Sequence, residues 1–205
     1  MNREECARQI HLVDEDSPLL TTAFDPTQYG PDVARILALD GNGQRLIPLR
    51  PTACANEEAR RLLKTFKARE LFPNQEEPEA PMAALLLYLS CFEEAHQLLE
   101  MCETQEGKLW HAILHRLEPD SGNAAYWFRK AGPHPIDTLL GQAAMKILRR
   151  IPDAEFGAGH WDPFAFTAFC DSARRQPGSM QMRAAMEIQR AEWQILFDYC
   201  AKLSA

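Results

Sequence analysis

Between Trp110 and Pro135 the chain reads WHAILHRLEPDSGNAAYWFRKAGPHP, a stretch dense in histidine, carboxylate and aromatic side chains. His111 and His115 are four positions apart. A helix places such residues on one face, where two imidazoles can reach one metal ion. Glu118 falls within about 60° of both on the same helix and is a candidate third ligand. Two histidines and a carboxylate suit zinc or ferrous iron, with positions left open for water and substrate. Without a metal, a histidine near neutrality serves as an acid or base. A plainer reading has the same geometry. Trp110, Ile113 and Leu117 cluster on the opposite side, so the histidine face can be the solvated face of an amphipathic helix. Pro119 also biases the backbone of Glu118 away from the helical region.

The flanking residues extend the candidate site. Asp120, Ser121 and Asn123 are all competent helix caps where one is enough, so the surplus is free to face a ligand. Tyr126, Trp127 and Phe128 follow in succession and must bury more than one side of their helix. Arg129 is placed to pair with Glu118 or Asp120, as a buried ion pair or an anion clamp. His134, before Pro135, either caps the next helix or leans into the same pocket. Upstream, Glu93, His96 and Glu100 share a face. Glu93-x-x-His96 is similar to the E-x-x-H of di-iron bundles, but only a reversed His115-x-x-Glu118 answers it, so a convergence of His96 with His111 and His115, as a metal geometry or an acid/base cluster, fits better. A short connection between the two helices would make them antiparallel and bring His96 opposite His111 and His115. The loop Gly157-Ala158-Gly159-His160-Trp161 can form a lid, with Trp161 excluding water.

The expected site therefore comprises His96, His111, His115, Glu118, Asp120 and His134 as acid/base candidates. Asn123, Tyr126, Trp127, Arg129 and Trp161 would contact a small-molecule ligand, and His111 and His115 would hold zinc or iron. The other reading is a non-catalytic interaction protein, in which the polar motif is a buried packing network.

The same string resembles the signature segment of a family of uncharacterised bacterial and fungal proteins, W-H-x-x-x-H-R-x-E-P-D…N-x-x-Y-W…G-x-H-P. The similarity spans roughly residues 80 to 136, and Leu117 stands at a variable position where the resemblance leads one to expect a basic residue. The resemblance implies that the string is not a chance assembly of residue types. It implies no activity, substrate or cofactor.

Elements able to position these residues are mostly helical. Residues 1 to 30, punctuated by Ser17-Pro18, Asp25-Pro26 and Gly30-Pro31, read as an extended arm that wraps the body through Leu19, Leu20 and Phe24. The run DVARILALDG from Asp32 is a short helix capped by Asp32, or one arm of a small β-hairpin near residues 33–50. Apolar spacing predicts helices over 54 to 72, from Pro81 to about Glu103, over 110 to 117, 123 to 131, 135 to 150, from Pro163, and from about Ser179. The last places Met182, Met186, Gln189, Trp193, Leu196, Cys200 and Leu203 along one seam, which packs on the body or on a second copy as a homodimer. The expectation is an all-α bundle of about six to eight helices, with residues 31–205 forming one domain.

Composition narrows the function class. A net charge of −7 over 205 residues argues against a nucleic-acid partner, which needs a basic face. Six cysteines lack any C-x-x-C pair, so a cysteine zinc site and a disulfide scaffold are both disfavoured. Cys91 and Cys102 sit in apolar helical patterns that favour an inert thiol. No apolar run suits a signal peptide or a membrane span, and a reducing cytoplasm is the expected location.

Overall fold

A computed structural model describes residues 24–151, 156 and 160–202. Among these residues every regular element is helical, with ten α-helices, two short 310 turns and no strand. The helices are α1 (Pro31–Ala38), α2 (Glu57–Leu63), α3 (Ala68–Leu71), α4 (Glu79–Tyr88), α5 (Phe92–Leu99), α6 (Gln105–Leu117), α7 (Ser121–Ala131), α8 (Asp137–Leu148), α9 (Pro163–Arg174) and α10 (Met180–Ala201). No helix among the described residues is long and apolar enough to cross a membrane.

The hairpin considered for residues 33–50 does not form. Val33, Ile36 and Leu37 are buried together at helical spacing, and Pro31 pre-sets the first turn. Gly30 stands at the N-cap, with Asp32 inside the first turn. Gly41–Gly43 makes a 310 turn instead of a hairpin loop.

More helices form than the six to eight expected, because two long apolar runs are interrupted. Residues 54 to 72 divide into α2 and α3. The run from Pro81 divides into α4 and α5 at Ser90, whose φ is 62°. Contacts from elsewhere in the chain take the carbonyls that would have continued the helix. Arg45 donates to the Tyr88 carbonyl. Ala55 N–H donates to Leu89 O at 2.8 Å, and Cys91 N–H turns back to Leu86 O at 2.8 Å. The break lets α4 remain in the core, buried nearly all round, while α5 lies against α6.

The seam on α10 packs on the chain's own body. Gln189, Trp193, Leu196 and Cys200 are buried, Met182 and Met186 are half-buried, and Leu203 lies outside the described residues. Trp193 Nε1–H donates to Ala84 O of α4 at 2.9 Å, and Gln189 Nε2 reaches Ile47 O at 3.3 Å. The Trp193 and Phe197 rings stack at 4.9 Å, with Tyr88 at 4.6 Å on Trp193. Phe24 and Tyr29 close this aromatic core, at 5.4 Å from Trp193 and 4.9 Å from Phe197 respectively. Tyr29 Oη–H also donates to Asp198 at 2.8 Å. The end of the expected N-terminal arm is thus part of the core. Leu19 and Leu20 lie outside the described residues.

A buried charge pair crosses the molecule. Arg116, fully buried on α6, donates through both Nη atoms to the carboxylate of Glu192 on α10. Arg174 on α9 donates to the carbonyls of Leu49 and Arg116 and pairs with Asp171. The Arg116 guanidinium lies 4.7 Å from the centre of the Phe166 ring, where planar charge and aromatic face attract.

Candidate metal centre

Helix α6 carries the centre, and its N-terminus is fixed by several contacts. Thr104 Oγ1 accepts the Gly107 N–H at 3.1 Å, and the Glu77 carboxylate accepts the Glu103 N–H at 2.6 Å. Gly107 admits no side chain, because a Cβ there would lie 2.5 Å from Cys102 Cβ and 2.7 Å from Glu77 Oε2. That close approach sets the turn between α5 and α6, which brings His96 over the histidine face of α6. The helix ends at Leu117, and the Asp120 carboxylate starts α7 by accepting the Asn123 N–H at 3.1 Å.

The face carrying His111 and His115 points inward. The two residues are 3% and 5% exposed, which removes the solvated-face reading. His96 is half-buried and joins them from α5. One ring nitrogen from each of His96, His111 and His115 lies within 4.8 Å of the other two. The tightest pair is His96 Nε2 and His111 Nε2, 3.1 Å apart. The His96 ring meets the His111 and His115 rings edge-on at 5.0 and 5.2 Å, while those two lie near-parallel at 5.0 Å. Two nitrogens bound to one tetrahedral zinc at 2.0–2.1 Å stand about 3.3 Å apart, so this pair is already at ligand spacing. Among the described residues, no other three histidine, cysteine or acidic side chains bring their ligand atoms this close together.

Glu118 takes a different place from the third-ligand role considered for it. Its Oε2 lies 3.2 Å from His115 Nδ1. A carboxylate only accepts, so Nδ1 carries the proton and Nε2 keeps the lone pair needed to bind a metal. Asn123 Nδ2 lies 3.4 Å from the same Nδ1 and borders this side. His111 stacks on Trp127 with centroids 4.0 Å apart and planes inclined by 15°.

Electrostatics keep the two buried histidines neutral. Burial pushes His111 down to about 4, helped by the neighbouring His115 and His96 and opposed by the Leu99 carbonyl. His115 is also lowered, first by burial, with Glu118 opposing. Neutral imidazoles are the metal-binding form, so at neutral pH little proton competition remains.

The other expected residues separate into distinct places. Tyr126 is exposed, edge-on to Trp127 at 5.4 Å, and Lys130 Nζ lies 5.0 Å from the Tyr126 ring centre. Asp120 is exposed and acts as a cap. Arg129 is exposed and forms no ion pair with Glu118 or Asp120. His134 is buried elsewhere, with Nε2 at 3.3 Å from Glu106 and its ring edge-on to Tyr199 at 4.7 Å. Its N–H donates to Asp137 at 2.9 Å at the start of α8. Trp161 packs on Phe166 at 5.1 Å and lines a separate cavity of about 470 Å³ with Ile113 and Phe128. Ile113 lies on the side of α6 away from the histidines, so Trp161 does not cover them. Residues 157–159 of the expected lid lie outside the described residues.

Sequence reasoning passed over Lys130, the cation beside the aromatic rim, and Arg116. The signal for Arg116 was its position within about 60° of Ile113 on the apolar side of α6. No family model, curated protein or solved structure matches the chain.

Proposed function

We propose that the chain is a metalloprotein whose mononuclear centre is held by His96, His111 and His115, with zinc or ferrous iron as the ion. The observation that carries this reading is the convergence of three imidazoles, two of them buried and neutral, within 4.8 Å. Three histidine ligands leave a fourth position open, the ligand set of a catalytic rather than a structural site. An ion held there would supply an acidified water or Lewis acidity. The chain's own groups do the rest. Glu118 holds His115 in the ligating tautomer, Trp127 fixes the His111 ring, and half-buried His96 marks the side open to solvent. Asn123 lies beside the Glu118-facing nitrogen of His115, and Trp127, which carries Tyr126 and Lys130 against it, walls the His111 side; these offer an amide, an aromatic edge and a cation to a small-molecule ligand.

Elemental analysis of untagged protein tests this. The expected result is one zinc or iron per chain, lost in the His111→Ala, His115→Ala double variant. A chain that purifies metal-free, and takes up zinc or ferrous iron no better than that variant, overturns the reading.

One observation favours a second reading. The 3.1 Å contact between His96 and His111 is a good hydrogen bond with no ion present. On that reading the triad is a metal-free polar network that fixes the packing of α5 on α6. It predicts that His111→Ala destabilises the fold and that added metal does not stabilise the parent chain.

A further inference from the structure

Two cysteines that the metal centre does not use lie against each other. Cys91 Sγ is 3.5 Å from Cys54 Sγ, although the residues are 37 positions apart in sequence. Cys91 is buried at the N-cap of α5, directly after the Ser90 break. Cys54 is half-buried in the irregular segment between the 310 turn and α2, next to Ala55, whose N–H is tied to Leu89 O. The remaining described cysteines, Cys102, Cys170 and Cys200, are free and buried.

We infer that Cys54 and Cys91 form a reversible, peroxide-responsive disulfide. Closing the gap from 3.5 Å to an S–S bond of about 2.05 Å needs roughly 1.5 Å of movement. Cys54 sits on irregular backbone that can supply it, whereas Cys91 is anchored by the helix it caps. The two thiols are also unequal, which assigns their order of reaction. Cys54 reaches solvent and meets the oxidant. Cys91 is shielded, and burial raises its thiol well above the usual range, with Cys54 and Glu94 adding to the effect. The Cys54 thiolate attacks hydrogen peroxide, forming the Cys54 sulfenic acid and releasing hydroxide. Cys91 Sγ then attacks the Cys54 sulfur. The S–O bond breaks, the Cys91 proton leaves with the hydroxyl group as water, and the S–S bond forms. In sum two thiols and one peroxide give one disulfide and two waters. A dithiol reductant reverses the step.

The bond would pin the 44–56 segment to the junction of α4 and α5. His96 lies five residues beyond Cys91, but the pair and its chemistry stand independently of any metal at His96.

The test treats the full chain with a small excess of hydrogen peroxide, blocks remaining thiols and maps peptides without reduction. The expected product is a peptide pair joined through Cys54 and Cys91, 2 Da lighter than the separate peptides and released by dithiothreitol. In Cys91→Ser, Cys54 should instead be trapped by dimedone as its sulfenic acid. In Cys54→Ser, Cys91 should stay reduced over the same exposure. If the parent chain carries Cys54 as sulfenic or sulfinic acid with Cys91 still free, or if both thiols remain alkylatable, the inference fails. Circular dichroism of each variant before oxidation separates loss of the pair from loss of the fold.

Discussion

At His111 an ordinary imidazole is held neutral by burial and by two neighbouring imidazoles, which gives the metal-free chain a defined acid sensitivity. Its value in the fold is about 4 against 6.5 for the free side chain. Protonation is therefore harder in the folded state than in the unfolded one. The resulting stability is present above about 6.5 and is lost as pH falls from there towards 4, by about 3 kcal/mol at most. Urea unfolding of metal-stripped protein at pH 7 and pH 4.5, beside a His111→Gln variant, should show a smaller acid loss in the variant. Parallel curves would mean that His111 is not buried in neutral form. Glu118 acts one bond further out. Glu118→Gln is expected to weaken zinc binding by roughly 10- to 100-fold, the usual effect of removing a carboxylate that orients a ligating histidine. Competition with a chromogenic chelator measures this, and an unchanged affinity would remove Glu118 from the centre. At this scale the sequence was partly legible. The His111/His115 spacing is a local property of one helix and could be read directly. Whether Glu118 bound a metal or a ligand turned on where α6 ends, and that was not visible.

The elements decide whether the third histidine arrives, and the deciding feature is the interruption at Ser90. A continuous helix from Pro81 would carry His96 along the axis of α4, away from the turn that Gly107 makes close. Arg45 and Ala55 enforce the interruption from segments tens of residues upstream. Apolar periodicity therefore suggested an unbroken helix, and the count of six to eight helices came out low. Ser90 adopts a left-handed conformation, and its buried hydroxyl has no hydrogen-bond partner. Ser90→Gly should relieve both penalties and stabilise the chain by about 1 kcal/mol, seen as a higher thermal midpoint. A drop in stability would indicate that the hydroxyl has a partner in solution. The α1 region was equally readable as helix or hairpin, because its apolar residues fit both patterns over so few positions. Burial of Val33, Ile36 and Leu37 on one side resolves it.

Across the whole molecule, Arg116 and Glu192 join α6 to α10 over 76 positions, and no local pattern could have paired them. Arg116 sits one residue beyond His115, so the polar string serves two faces of the same helix. One face gathers the histidines, and the other fastens the helix to the core. Removing one partner leaves a buried charge. Glu192→Ala should therefore cost about 3–5 kcal/mol, whereas an Arg116→Met, Glu192→Leu pair should come close to the parent. Denaturant unfolding of the three chains measures this. Equal losses in single and double variants would mean that packing, not charge, fixes the contact. The all-helical class followed from composition and periodicity. The spacing of the α10 seam already suggested packing on the chain's own body, but the carbonyls of Ile47 and Ala84 that accept its polar groups could not be read from it.

The position of α10 in the chain also bears on how the protein is made. Trp193 and Phe197 complete an aromatic core that includes Phe24, Tyr29 and Tyr88, and Glu192 neutralises Arg116. Until residues 180–201 leave the ribosome, α4 and α6 have no partner for these faces, and an arginine destined for the interior has no counter-ion. A nascent chain stalled before Met180 should therefore be cut readily by protease between α4 and α9. One stalled after Ala201, with enough linker to clear the exit tunnel, should resist. Acquisition of structure then waits on α10, which makes a chain that has not yet reached it a client for chaperones that bind exposed apolar helices.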